Sequence, residues 1–477
     1  MAPASQAPCV TVRDIRLYER PVRLRMPFRF GVVTLTEAPQ LFARVRIAAD
    51  GREAWGKAAE MLAPKWFDKN PALSNAQNFE QLRDAVRISA GLYRGFGKAE
   101  SAFGLFAGTY AEQLRRGAAQ GLNGLVAGFG PALLDRAVLD ALCRIADMSI
   151  FDAVRRNLPG LAPERLLPEF AGFDMGGFLA ALRPAAVIDA RHTVGLVDPI
   201  TAADQEPDAR VGDGLPETLE EVIAAYGHRS FKIKVGGDAA ADIARLTAIA
   251  AVLDRIEAPY QATLDGNEQY ADVDGVLALW RRMAETAALR RLCRSVLFIE
   301  QPIGRGNALA RDVSALDVER PVIIDESDED LSAFPRARAL GYSGVSSKSC
   351  KGFYKALINA ARCARWNAEL GRPRFFMSAE DLTIQAGVAL QQDLALAALI
   401  GVGHVERNGH HYVDGMRGLP EAEQAAFLAA HPDLYHRAGG TVRLTIRDGR
   451  IALGSLHCTG FAAAAEPDWE AMRRMAG

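Results

Sequence analysis

Charged residues close five successive short apolar runs in the second half of the chain. Phe231-Lys232-Ile233-Lys234-Val235 is followed by Leu264-Asp265-Gly266-Asn267, Ile299-Glu300-Gln301-Pro302, Ile324-Asp325-Glu326-Ser327 and Ser347-Lys348-Ser349-Cys350-Lys351. Asp265, Glu300 and Asp325 at neighbouring strand ends would repel one another where the dielectric is low, so they call for a counter-charge. An all-oxygen set without His or Cys selects a hard dication, Mg²⁺ with Mn²⁺ as the alternative, and leaves positions open for water and substrate.

Lys232 and Lys234 are two residues apart, so on a strand both amines emerge on one face about 7 Å from each other. At an effective dielectric of about 20 their repulsion is roughly 2.4 kcal/mol, enough to lower one lysine by about 1.7 pH units toward the range of a general base. Lys348 closes a run four strands later and would approach a ligand from the opposite wall. A carboxylate held between two such amines can lose its α-proton to one lysine, while the other returns a proton or stabilises charge.

These residues need a frame that gathers strand ends at one rim. From about Arg191 onward, candidate strands at His192 to Val197, Ser230 to Val235, Gln261 to Leu264, Ser295 to Ile299, Pro321 to Ile324, Gly344 to Ser347, Arg374 to Met377 and Gly403 to Glu406 alternate with amphipathic helical stretches. Such a succession of βα units predicts a parallel barrel whose active residues sit at the C-terminal ends of its strands. Upstream, Thr11 to Tyr18, Gln40 to Ile47 and Arg52 to Lys57 read as an antiparallel meander with a turn at Asp50-Gly51. Helical spacing follows to about Asn157, with Pro131 opening its most apolar run. The segment from Ser74 to Gly130 is long for such a region. Thr441 to Ile446 and Ile451 to Leu456 around Asp448-Gly449 predict a closing hairpin that returns to the first region.

The expected architecture is α/β, a parallel (β/α) barrel over residues 166–435, with an α+β domain from residues 1–165 and a C-terminal segment, 436–477, returning to it. With 477 residues, 49% apolar and 24% charged, the chain can bury a large core. A formal net charge of −2 gives no field for nucleic acid or an anionic membrane. There is no leader-like or membrane-length apolar stretch, and the six scattered cysteines have no metal-type spacing, so the expectation is a cytoplasmic protein with reduced thiols.

Together the Lys-x-Lys at 232 to 234, Asp265-Gly266-Asn267, Glu300-Gln301-Pro302, Asp325-Glu326-Ser327 and Lys348-Ser349-Cys350-Lys351 resemble the enolase superfamily, mandelate racemase/muconate lactonizing type, and within it the muconate lactonizing subgroup. The resemblance runs through nearly the whole chain and implies a modified TIM barrel (β/α)7β, with the α+β region 1–165 and the C-terminal segment 436–477 forming a capping domain. It implies Asp265, Glu300 and Asp325 as Mg²⁺ ligands, Lys234 as the base on one face, Lys232 as its electrostatic partner and Lys348 as acid or base on the other. It implies Glu326 and Asn267 as supporting residues, and Glu380 as the carboxylate found on strand seven of the subgroup. The segments Pro27 to Thr34 and Trp55 to Trp66 match loops that close over substrate, with Phe28, Arg29, Phe30, Glu60 and Met61 as candidates.

The implied function is Mg²⁺-dependent abstraction of the α-proton of a small carboxylate through an enolate, as racemase or epimerase, cycloisomerase or syn-eliminating lyase; a homo-oligomer is allowed. Two other classes fit parts of the pattern: a Schiff-base lysine aldolase, and a non-catalytic binding protein of the same fold. Besides the long Ser74 to Gly130 segment, the chain departs from the family in two ways. Phe353-Tyr354 follow Gly352 where a second glycine is usual, placing an aromatic near that turn. Asp265 and Glu300 are 35 residues apart against 25 for Glu300 and Asp325, which implies an insertion near the third helix. The strand-seven histidine and strand-six aspartate of the acid-sugar dehydratases are absent; His404, His410 and His411 lie late, with a spacing that suits no recognisable zinc site.

Overall fold

The computed structural model describes residues 7–30, 33–382 and 385–475. Three long antiparallel strands open the chain, β1 (Val10–Phe30), β2 (Val33–Ala49) and β3 (Arg52–Met61), longer than the predicted runs. Asp50 and Gly51, both at positive φ, make the turn between β2 and β3. Three helices follow: α1 (Asn75–Arg94), α2 (Ala102–Ala119) and α3 (Gly124–Ile145). The long stretch after Ser74 is thus a helix pair, opened by a capping box in which Ser74 and Gln77 satisfy each other's backbone N–H.

Helix α3 is buried on nearly every side because it lies between the sheet and α1–α2. The contact with β3 is so close that a Cβ on Gly56 would sit 2.1 Å from the Ala137 carbonyl oxygen. Pro131 does not open this helix, as its sequence suggested. Asn123 caps the helix well upstream, and the proline lies inside. A proline there has no N–H for the carbonyl of Ala127 four residues back. Gln113 of α2 supplies the missing donor, its Nε2 standing 2.8 Å from that oxygen.

Eight parallel strands close a barrel: β4 (Val187–Val194), β5 (Ser230–Lys234), β6 (Gln261–Asp265), β7 (Val296–Glu300), β8 (Val322–Ile324), β9 (Gly344–Ser347), β10 (Phe376–Ala379) and β11 (His404–Arg407). Each pairs with the next, and β11 pairs back onto β4. Helices lie in all seven connections, which gives (β/α)7β. The first strand starts and ends several residues earlier than predicted, because the apolar run to Val197 already belongs to the loop after it. The wide interval before Glu300 is filled by an added helical turn, Arg290–Ser295, beyond the helix Val273–Glu285.

The C-terminal segment divides rather than forming one hairpin. β12 (Tyr435–Ala438) and β13 (Thr441–Leu444) pair across Gly439-Gly440, whose positive φ angles suit a tight turn. β14 (Arg450–Ala452) is drawn away from β13 to pair antiparallel with β4, so Asp448-Gly449 turns the chain without closing the predicted hairpin. β15 (Arg473–Arg474) joins the edge of β1. Among the described residues no helix is long and apolar enough to cross a membrane.

Candidate active site

Alternation along each barrel strand sends every second side chain inward. On β5 these are Lys232 and Lys234, and the neighbouring strands bring Asp265, Glu300, Asp325, Lys348, Glu380 and Glu406 to the same rim, all of them buried. Beneath them Arg191 of β4 fills the interior, its guanidinium 5.5 Å from the centre of the Phe298 ring and bonded to Ser378 and Glu380.

Lys232 is the hub. Its Nζ lies 2.9 Å from Asp265, 2.9 Å from Glu300, 2.7 Å from Glu380 and 3.0 Å from Glu406. Burial alone would lower this lysine, but the four carboxylates raise it well above its ordinary value. The repulsion expected between Lys232 and Lys234 is therefore overturned: Asp265 Oδ2 accepts from Lys234 at 2.6 Å while touching Lys232, so a negative charge stands between the two amines. Periodicity shows the shared face of two lysines but not the carboxylates that the barrel brings across to them.

Lys234 and Lys348 stand on β5 and just beyond β9, four strands apart in a ring of eight and so on opposite walls. Lys234 also donates to Asn267 Oδ1 at 2.8 Å. Lys348 donates to Asp325 Oδ2 at 2.7 Å and lies 4.9 Å from the centre of the Trp66 ring. Burial opposes its charge, yet Asp325 raises it. Against the same burial, Lys348 and Lys351 hold Asp325 well below the usual carboxylate range. The two walls and the acidic rim enclose about 440 Å³ of space, counting its open mouth.

Glu300, between Asp265 and Asp325, is the exception. It is 0% exposed, and neither carboxylate oxygen accepts a hydrogen bond among the described residues. Lys232 pairs with it at 2.9 Å, but the hydrogen bonds of that amine go to Glu380 and Glu406. Burial and then the charge of Glu380 push Glu300 well above its ordinary value. A buried carboxylate without a donor costs free energy that a cation would recover. Asp265, Glu300 and Asp325 therefore fit a hard dication in donor type, position and unmet need.

The supporting residues divide. Asn267 lines the cavity and donates to Glu326 Oε1 at 3.0 Å, while Glu326 lies behind it, pushed up to about 7 by burial. Glu380 is locked between Lys232 and Arg191. From the cap, Phe28, Leu35, Ala63 and Trp66 reach the cavity. Arg29 does not, because alternation on β1 turns Phe28 inward and leaves Arg29 exposed. The backbone of Phe30 ends β1, but its side chain lies outside the described residues. Met61 is core, and Glu60 supports the strand-end turn instead of facing the cavity: it pairs with Arg136 at 2.8 Å and accepts from Ser349 Oγ at 2.9 Å. Phe353 and Tyr354 pack on Phe103, Phe106 and Phe461 and do not line the cavity.

Three further residues belong to the site without standing out in the sequence. Glu406 obeys the same strand-end rule as the other carboxylates and is within reach of it. Arg191 is hidden by the misplaced start of the first strand. Gln301, at φ 32°, turns its side-chain oxygen to accept from the backbone N–H groups of Asp325 at 2.8 Å and Ser327 at 3.1 Å. It fixes the third carboxylate in place, which only the fold reveals.

Residues 214–424 match the family model described as Enolase C-terminal domain-like. The barrel is an enolase-like barrel. Solved structures extend the likeness of fold to the cap. An enolase from Bradyrhizobium complexed with magnesium and mandelic acid is 16% identical, with 96% of each chain covered and a TM-score of 0.58. A dipeptide epimerase from Enterococcus faecalis complexed with Mg and L-Leu-L-Tyr is 13% identical, covering 96% of this chain and 100% of that one, with a TM-score of 0.60. A muconate lactonizing enzyme from Pseudomonas fluorescens complexed with muconolactone is 18% identical, covering 96% and 97%, with a TM-score of 0.59. No curated protein matches the sequence. The enolase-like barrel and its cap thus share their architecture with proteins solved in complex with mandelic acid, L-Leu-L-Tyr and muconolactone.

Proposed function

We propose that this chain catalyses Mg²⁺-dependent abstraction of the α-proton of a small carboxylate. The observation that carries the reading is Glu300, buried and without a hydrogen-bond donor between two further carboxylates, with an amine on each side of the cavity above it. Asp265, Glu300 and Asp325 would hold the metal. When bound, Mg²⁺ supplies positive charge for the enolate oxygens and competes with Lys234 and Lys348 for the carboxylates that now hold them.

The chain's own residues do the rest. Lys234 Nζ takes the proton from one face of the α-carbon, and Lys348 Nζ delivers or takes one on the other. Lys232, held by Glu380 and Glu406 from below, keeps a fixed positive charge under the site. Phe28, Leu35 and Trp66 exclude water and give an apolar wall for the substrate side chain. Racemisation or epimerisation, cycloisomerisation and syn-elimination all begin with this step. Lysines at both walls and a carboxylate at Glu380 support placement in the muconate lactonizing subgroup. The structures bound to mandelic acid and to L-Leu-L-Tyr suggest hydroxy acids and dipeptides as first substrates to test.

The decisive experiment is solvent deuterium exchange at the α-carbon of N-acylamino acids, dipeptides and hydroxy acids with and without Mg²⁺. Exchange that requires Mg²⁺ and is lost for opposite enantiomers in Lys234→Ala and Lys348→Ala is expected. Mg²⁺-independent turnover, trapped by borohydride as a lysine adduct, would sink the reading in favour of an aldolase.

A further inference from the structure

Four histidines scattered in the sequence meet outside the barrel wall. His192 is on β4, pointing away from the interior that Arg191 and Thr193 face; His228 precedes β5; His410 and His411 follow β11. One ring nitrogen each from His192, His228 and His410 lie within 4.8 Å of one another. His192 Nδ1 and His410 Nε2 are 3.3 Å apart. That is the edge expected between two imidazole nitrogens on a tetrahedral zinc, roughly 3.3 Å from bond lengths of about 2.05 Å.

The third ring is prepared in a way that core packing does not require. His228 points Nδ1 at the Ala190 carbonyl oxygen, 2.9 Å away, which leaves Nε2 as the free lone pair. This Nε2 is buried and has no partner among the described residues. His228 is 1% exposed, so the unmet acceptor costs free energy that one N–H···N bond between His192 and His410 does not relieve. Burial holds His228 down at about 4 and, with the neighbouring imidazoles, holds His192 and His410 well below their ordinary values. All three rings are therefore neutral, as metal ligation needs. His410 also borders a cleft with Pro216, Ala225, Tyr226 and Val413, about 580 Å³ counting its mouth, which gives an ion a way in and a fourth ligand a place to sit.

We propose that His192, His228 and His410 bind a borderline divalent ion, Zn²⁺, with one coordination position open to the cleft. Imidazole donors suit zinc and reject Mg²⁺, so the site is chemically separate from the oxygen-lined mouth. It lies across the seam where β11 pairs with β4. The segment that carries His410 also sends Asn408 to the cavity and Tyr412 against Phe28, whose ring centres are 4.5 Å apart. A bound ion would fasten this segment to the barrel.

The test uses the full chain, stripped of metal, dialysed and then saturated with Mg²⁺, with Zn²⁺ alone as the probe. One Zn²⁺ per chain and a rise in Tm are expected, with affinity at least about tenfold weaker in His228→Gln and His410→Gln. Co²⁺ should give the intense visible bands of a tetrahedral site in the wild type and not in the variants. His410 is half-buried and its replacement leaves the Ala190 bond untouched, so His410→Gln remains decisive even if His228→Gln does not fold. Zn²⁺ that fails to bind, or that binds and stabilises His410→Gln as well as the wild type, overturns the proposal.

Discussion

The cap and the barrel mouth both bury carboxylates, and they treat them in opposite ways. In the cap, Glu60 is closed on Arg136, and Asp135 takes one bond from the Tyr93 hydroxyl while burial pushes it up to about 8, so near neutral pH it is mostly uncharged. Each is settled by the chain's own groups. In the mouth, Lys232 is shared among four carboxylates and Glu300 is left without a donor. The first region is built for stability, and the second keeps a carboxylate that shares one amine with three others and accepts no hydrogen bond among the described residues. A buried ionisable residue is thus a functional signal when its partner is missing, not merely when it is buried.

The contrast can be broken from either side. The largest effect is expected from removing an amine of the mouth: Lys234→Ala and Lys348→Ala should each lower deuterium exchange about 10³-fold for one enantiomer, measured by NMR with Mg²⁺ present. On the cap side, Arg136→Met leaves buried Glu60 with only the Ser349 hydroxyl, and urea denaturation should show a loss of about 3–5 kcal/mol. Glu300→Gln should act in the other direction. The metal-free chain is expected to be as stable or about 1–3 kcal/mol more stable, while the Tm rise with Mg²⁺ disappears; a destabilised metal-free variant would show that Glu300 has a partner after all.

The smallest effect, at most about 1.4 kcal/mol for each pH unit, concerns pH. The folded-state value of Asp135, about 8, lies above its ordinary 3.8, so the unfolded chain gives up this proton first as pH rises. Its contribution makes stability fall between about pH 4 and 8, with a slope below one proton, and Asp135→Asn should flatten that part of the profile. An unchanged slope would mean that Asp135 is ionised in the folded cap.

Much of this is legible in the sequence for a physical reason. Parallel strands buried on both faces are short apolar runs, and the first charged residue after each run marks the rim. Asp265, Glu300, Asp325, Lys348 and the Lys232–Lys234 pair follow from that rule. What is not legible depends on partners far away in the chain. Pro131 reads as a helix start unless Gln113 is known to stand opposite Ala127. The lysines read as mutually repelling unless Asp265 is seen between them and Glu380 and Glu406 across the barrel from Lys232. The histidine spacing reads as unrelated because His192 and His228 join His410 only when β11 closes on β4.

Arg191 has one more consequence. With Phe298 and Ser378 it plugs the barrel below the carboxylates, so among the described residues the barrel floor is filled and the cavity lies on the side of Phe28 and Trp66. Reactant and product are then both expected to pass on the cap side. Product that lingers blocks the next arrival, and its inhibition should be competitive with substrate, whatever the chemistry between entry and exit.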